Sequence, residues 1–277
     1  MLRYNQDNSA IGTMLDGKKL YIFDMDGTIY LGGRVFPHAV RFINRLRQDG
    51  RRVLFFTNNA SHDPEFYYEK LAKMGFDPQP GEVMTAGDVT IEFLLRHREG
   101  KSVYLVGTDQ LHRSFAGRGI EPLPLGAKTA DIVVSSFDTS LTYQKLDDAC
   151  RLIRNGAEYL CTHPDFNCPT EDGFIPDSGA IAALITASTG KEPRYFGKPH
   201  RSTVEMIAEA TGTPFEEMCI FGDRLYTDIA VGKRHGISAI LVLSGETDEE
   251  VLAACAEADC PDAVLPSLAE ADELLFS

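Results

Sequence analysis

Two aspartates one residue apart, Asp24 and Asp26, close an apolar run that begins at Leu20. The stretch reads Leu20-Tyr21-Ile22-Phe23-Asp24-Met25-Asp26-Gly27-Thr28. Alternation along an extended chain would put both carboxylates on one face. Adjacent carboxylates repel and resist desolvation unless a cation or a proton lies between them. That is the local chemistry of a magnesium site with one carboxylate to spare. The competing reading is an acidic turn, in which Asp24 caps and Gly27 reverses the chain.

Other polar groups occupy comparable places. Thr57 and Asn58 follow the apolar run Val53-Leu54-Phe55-Phe56, and Asp223 and Asp228 follow Cys219-Ile220-Phe221. Ligands of open parallel sheets bind beyond the carboxyl ends of the strands, so these groups are expected to converge on one crevice. Gly197-Lys198-Pro199 precedes a helix whose start reads as a capping box, Ser202-Thr203-Val204-Glu205. Pro199 biases Lys198 away from the helix, where its ammonium could reach the same crevice. Each residue alone has an ordinary role: a turn cap, a solvated lysine, an acid flanking a helix start. Their order along the chain, each at a strand end or before a helix, favours chemistry.

The elements that must position them alternate between strand and helix. A strand over 20–24 is followed by a helix from Pro37 to about Asp49, with Val40, Ile43 and Leu46 on one face and Gly50 as its stop. A strand at 53–56 is followed by a helix from Asp63-Pro64 to Gly75. A strand at 219–221 leads to a helix that runs toward His235 with Gly236 behind it, and Ile240-Leu241-Val242-Leu243 forms a further strand. Continuous apolar strands between helices imply a parallel sheet covered on both faces. Between about 83 and 189 a second series appears: strands at 103–106, 132–134 and 159–161, a helix from Thr142 to Asn155, and a helix over 178–189 with Ser178 as N-cap and Gly190 as stop. The expected organisation is a discontinuous first domain, 1–82 and 190–277, with an inserted α/β domain at 83–189. Residues 1–17 are expected to be a poorly ordered lead-in, the alternative being a short packed helix.

Bulk composition sets limits. A chain of 277 residues suits one large or two modest domains. A net charge of −14 argues against nucleic acid and acidic membranes as partners, because phosphate backbones demand clustered Lys and Arg. A small phosphorylated ligand needs only a local positive pocket. The six cysteines form no close CxxC pair and read as reduced thiols of a cytoplasmic protein. Met1 to Gly17 lacks an apolar signal core, and no window approaches ~18 apolar residues.

Asp24-Met25-Asp26-Gly27-Thr28, Thr57-Asn58-Asn59, Lys198 and Gly222-Asp223 to Thr227-Asp228 resemble the four ordered motifs of haloacid dehalogenase-type phosphatases. The resemblance runs from about Leu20 to about Leu265 and implies a Rossmann-like parallel-sheet core. The inserted segment is similar to the α/β (C2-type) cap of the NagD-type branch, through Val133-Val134 to Asp138, Leu141 to Leu146, and Pro169-Thr170-Glu171. That branch includes nitrophenyl-phosphate, phosphoglycolate and pyridoxal-phosphate phosphatases.

The resemblance assigns roles. Asp24 would be the nucleophile that forms an aspartyl-phosphate, and Asp26 the acid and then the base. Mg²⁺ would be held by the Asp24 carboxylate, the Asp26 carbonyl and Asp223, with Asp228 supporting its water shell or Lys198. Thr57, the Asn58 amide and Lys198 would hold the phosphoryl oxygens. The presence of Asp26 favours phosphate esters over halides, which need no proton on leaving. The cap would exclude water and choose the leaving group. Within it Thr162-His163-Pro164-Asp165 is the expected specificity contact, through His163 and Asp165. Relatives often carry Asn in place of His163 and Gly-Ala in place of Asp177-Ser178. The expected activity is Mg-dependent hydrolysis of small organic phosphate monoesters. A phosphomutase and a non-catalytic phosphometabolite-binding protein are the alternatives. Cap-mediated homodimers occur in the branch, but no interface is legible here.

Overall fold

The computed structural model describes residues 7–170 and 173–276. Two compact units make up the chain. The first comprises residues 1–56, 68–84 and 203–277, and the second 57–67 and 85–202.

The first unit is built on a six-stranded sheet in which Leu20–Phe23 lies between Met218–Gly222 and Arg52–Thr57. Both pairings are parallel, as are those that carry the sheet outward to Ser238–Val242 and Ala263–Leu265. All four residues of Leu20–Phe23 are buried, the pattern of a central strand covered on both faces. Phe23 stacks on Phe221 at 5.2 Å, and Phe42 meets both edge-on at 6.0 and 5.9 Å. Phe42 belongs to the helix Pro37–Gln48, whose buried face is Ala39, Phe42, Ile43 and Leu46. That helix packs on the C-terminal helix Leu268–Phe276, where buried Asp272 takes Arg41 at 2.6 Å and Arg45 at 3.0 Å.

The expected lead-in is in part a helix. Asn8–Asp16 is capped by Asp7, buries Ile11 and Leu15, and packs on the C-terminal helix. Two apolar residues one turn apart suffice here because a neighbouring helix receives them. Residues 1–6 lie outside the described ones.

The second unit has a four-stranded sheet in the order 194–195, 158–161, 132–135, 103–106, with each pairing parallel. Its core gathers Tyr104, Val133, Leu152, Ile153, Ile181 and Ile185. The pair Arg194–Tyr195 with Glu158–Cys161 explains why this unit extends past residue 189.

Two helix starts differ from expectation. Asp177, not Ser178, caps Ser178–Thr189, accepting the Ser178 amide at 2.5 Å. Ser202 lies inside the helix Arg201–Thr211 and donates to the Tyr195 carbonyl at 3.2 Å, so it is not a cap. In both cases a carboxylate or an earlier helix start supersedes the serine that sequence favoured.

Candidate active site

The first unit brings three of the expected carboxylates together. Asp24 follows the central strand, its amide still bonded to the Phe221 carbonyl at 2.9 Å. Asp223 follows Met218–Gly222. Asp228 sits in a π-helical turn, Leu225–Ile229, a distortion often found at functional sites. One oxygen of each carboxylate lies within 4.8 Å of the others.

Glycines make room for this cluster. Gly27 has φ +89°, and a Cβ there would lie 2.2 Å from Asp223 Oδ2. A Cβ on Gly245 would lie 2.1 Å from the same oxygen, and one on Gly222 2.1 Å from the Asp228 Cβ. The chain around the carboxylates is thus stripped of side chains so that they can approach.

Asp223 is 2% exposed. Its Oδ2 accepts the Glu246 amide at 2.7 Å, while Oδ1 has no hydrogen-bond partner among the described residues. Burial and the neighbouring Asp24 and Asp228 carboxylates push it up to about 7. Arg224 offers partial compensation: it lies in the field of Asp24 and Asp223 and pairs with Glu246 at 2.9 Å. An orphaned buried oxygen aimed among hard oxygen donors fits a divalent cation of the Mg²⁺ type. Asp228 has hydrogen-bond partners of its own, the Arg224 amide at 3.2 Å and the Thr227 hydroxyl at 3.3 Å.

The Asp26 carboxylate does not join the cluster. It is exposed and accepts the Gly32 amide at 3.2 Å, at the mouth of the turn closed by Gly27 N–H to the Tyr30 carbonyl. This leaves it more accessible than Asp24.

Sequence reasoning overlooked Ser244, Gly245 and Glu246. They follow Ser238–Val242, leave room for Asp223 at Gly245, bond to it through the Glu246 amide, and bind the Gly27 carbonyl through Ser244 Oγ at 2.7 Å. The missed signal is the same one used elsewhere, polar residues directly behind an apolar strand.

The second unit holds the other expected groups. Asn58 is buried, and its side-chain amide grips the Lys198 backbone in both directions. Asn58 Oδ1 accepts the Lys198 amide at 2.8 Å, and Nδ2 donates to the Lys198 carbonyl at 2.9 Å and to Asp165 at 3.1 Å. The Lys198–Pro199 peptide is cis. Thr57 accepts the Asn59 amide at 3.2 Å.

His163 is not placed as a leaving-group contact. Its ring is wholly buried, with Nε2 2.8 Å from Asp177 Oδ1 and Nδ1 2.9 Å from Thr162 Oγ1. Both ring nitrogens are committed inside the second unit, which leaves neither for a substrate.

Known proteins resolve what this geometry belongs to. The family described as Haloacid dehalogenase-like hydrolase matches residues 21–121, and a second, HAD-hydrolase-like, matches 195–271. The chain belongs to the haloacid dehalogenase-like hydrolases, in the NagD-type phosphatase branch. The 5'-nucleotidase YutF of Bacillus subtilis is 34% identical over 84% of this chain and 90% of its own length. An acid sugar phosphatase of Staphylococcus aureus is 35% identical over 82% and 87%. The structure of a 4-nitrophenylphosphatase from Thermotoga maritima superposes with a TM-score of 0.88, at 41% identity over 95% of this chain and 99% of that one. Another aligned structure, described as a nagD protein, is 40% identical with a TM-score of 0.83.

Proposed function

We propose that this haloacid dehalogenase-like phosphatase is Mg²⁺-dependent and hydrolyses small organic phosphate monoesters through an aspartyl-phosphate on Asp24. The observation that carries the cation is Asp223: buried, with one oxygen unpartnered among the described residues, beside Asp24 and Asp228. Clustered carboxylates repel one another unless a counter-charge lies among them.

In this reading the Asp24 carboxylate attacks phosphorus, and the P–O bond to the leaving group breaks as Asp26 gives that oxygen its proton. Asp26 then takes a proton from the water that attacks the aspartyl-phosphate, returning Asp24 and releasing inorganic phosphate. Thr57, the Asn58 amide and Lys198 hold the phosphoryl oxygens, whose transition state needs positioning and charge compensation above all. Mg²⁺, held by the Asp24 and Asp223 carboxylates and the Asp26 carbonyl, would offset the negative charge of the phosphoryl group. Asp228 orders the loop around Asp223 through the Arg224 amide.

The functional division follows the same reading: 1–82 and 190–277 as catalytic core, 83–189 as cap. The relatives' names, a 5'-nucleotidase, an acid sugar phosphatase and a 4-nitrophenylphosphatase, support a small phosphate monoester as substrate class. The six free cysteines support a cytoplasmic location, and no helix among the described residues is long and apolar enough to cross a membrane. The test is phosphate release from a panel of nucleoside monophosphates, sugar phosphates, phosphoglycolate, pyridoxal phosphate and 4-nitrophenyl phosphate, with Mg²⁺ or with a chelator. Mg²⁺-dependent release supports the reading, and equal release under chelation contradicts it.

A further inference from the structure

His163 has a role that its enclosed position defines. The Thr162 hydroxyl donates its single proton to Ser136 Oγ at 2.9 Å. The same oxygen stands 2.9 Å from His163 Nδ1, and a hydroxyl whose proton goes to Ser136 can accept from that nitrogen. Nε2 faces the Asp177 carboxylate at 2.8 Å and donates as well. This arrangement accommodates a ring that donates from both nitrogens, an imidazolium.

Its surroundings supply the matching charge. Oxygens of Asp177 and Asp165 lie within 4.8 Å of each other and of a His163 nitrogen. Two carboxylates this close, one of them buried, favour a cation or a proton between them. Burial would lower the His163 pKa, but Asp177, by hydrogen bond and by charge, and Asp165 outweigh it and hold the value above the ordinary 6.5. The other titratable groups nearby do not compete for the proton. Burial pushes the Cys161 thiol up, and its sulfur donates to the His163 carbonyl at 3.3 Å. Burial, with Cys168, Asp177 and Asp88 nearby, raises Tyr67, and burial raises Asp88 although Thr85 bonds to it.

The pair also lies one step from the lysine clamp. A Cβ built on Gly197 would be 2.8 Å from His163 Cβ, 2.9 Å from Asn58 Oδ1 and 3.0 Å from the Thr162 carbonyl. Asp165, two residues beyond His163, accepts from the Asn58 amide that holds Lys198 on both sides. His163–Asp177 and Asp165–Asn58–Lys198 are hydrogen-bonded, and an Asp165 oxygen within 4.8 Å of a His163 nitrogen brings the two together.

We propose that His163 is a positioning residue: its imidazolium, held by Asp177, fixes the Thr162–Asp165 loop against the Asn58 clamp and so sets Lys198 for the phosphoryl group. This rests on the phosphatase reading for Lys198. The sign follows from linkage. A raised histidine contributes its full stabilisation below about pH 6.5 and loses it as pH rises through the folded value.

The test uses Asp177→Asn, which keeps side-chain size and an N-cap acceptor but removes the charge. With 4-nitrophenyl phosphate, kcat/KM relative to wild type should be down about tenfold or more at about pH 8 and less so at about pH 6, recovering as pH falls. The loss should lie in KM, and the inhibition constant of inorganic phosphate should rise with it. His163→Gln should show the same loss at both pH values. A defect in Asp177→Asn that is equal at both pH values, or that spares phosphate affinity, overturns the proposal. Nitrogen-15 spectra of the wild type, with His163 assigned by its absence in His163→Gln, give a second readout that needs no turnover. Two protonated ring nitrogens at about pH 7 support the proposal, and a neutral ring overturns it. A wild type that releases no phosphate from any ester would defeat the phosphatase reading instead. Phosphate affinity and the spectra would then still decide whether His163 sets Lys198.

Discussion

Asp223→Asn separates the cost of the carboxylate cluster from its use. In the folded chain Asp223 is pushed from its ordinary 3.8 to about 7 by burial and by Asp24 and Asp228. At about 1.4 kcal/mol per pH unit, the charged form is roughly 4 kcal/mol costlier folded than unfolded. For a raised group this stability is fully present below about pH 3.8 and is lost as pH rises through about 7. Cation-free wild type should therefore lose stability relative to Asp223→Asn across that window. Above about pH 7 the variant should be the more stable by about 2–4 kcal/mol, the lower figure allowing for a weaker bond to the Glu246 amide. At about 2–4 °C per kcal/mol, that is about 4–16 °C in Tm. With Mg²⁺ at about 100 times its Kd the wild type should gain about 2.7 kcal/mol, and the variant should gain little. Thermal unfolding of both proteins between about pH 4 and pH 8, with chelator or with Mg²⁺, reads all of this. The reasoning is refuted if the cation-free variant is less stable than wild type at alkaline pH. It is also refuted if Mg²⁺ protects both proteins equally.

Other predictions follow from the same geometry. Gly27→Ala places a Cβ 2.2 Å from Asp223 Oδ2 at φ +89°; phosphate release should fall by about 10–100-fold while the fold survives, with circular dichroism as the check. Asn58→Ala should raise KM for phosphate esters about tenfold, because Lys198 loses both backbone bonds to the clamp; an unchanged KM would deny the clamp its role. Asp272→Ala should cost about 2–3 kcal/mol of stability, since Arg41 and Arg45 are partly exposed and can return to water. Replacing both arginines with alanine should cost more, about 3–5 kcal/mol, because a buried carboxylate is left alone; denaturant titration of the two proteins gives the order.

What could be read from the sequence was the part governed by local patterning. The strand Leu20–Phe23 is buried on every side and ends where its carboxylates begin, so apolar run and site were visible together. Asp24, Asp223 and Asp228 needed only the rule that strand ends in a parallel sheet face one edge. Partnerships across long sequence separations were not legible. His163 finds Asp177 fourteen residues away, across a hairpin that no periodicity announces, and that pair turned an expected substrate contact into an internal hydrogen-bonded pair. Asn58 finds Lys198 at a separation of 140 residues. The N-terminal helix was only the alternative reading of residues 1–17, because its two buried residues meet the C-terminal helix, a partner far along the chain. Of the quoted cap motif, Glu171 lies outside the described residues.

The central claim is that Asp24 is the phosphoryl acceptor in a Mg²⁺-dependent phosphatase. Asp24→Asn keeps the size and removes the nucleophile. With wild type and variant at equal concentration, phosphate release is measured over the panel of esters with Mg²⁺ and with chelator. The account predicts release by wild type with Mg²⁺, none above background by the variant, and matching thermal unfolding in chelator to within the gain from one fewer buried charge. Near-normal release by the variant would contradict it.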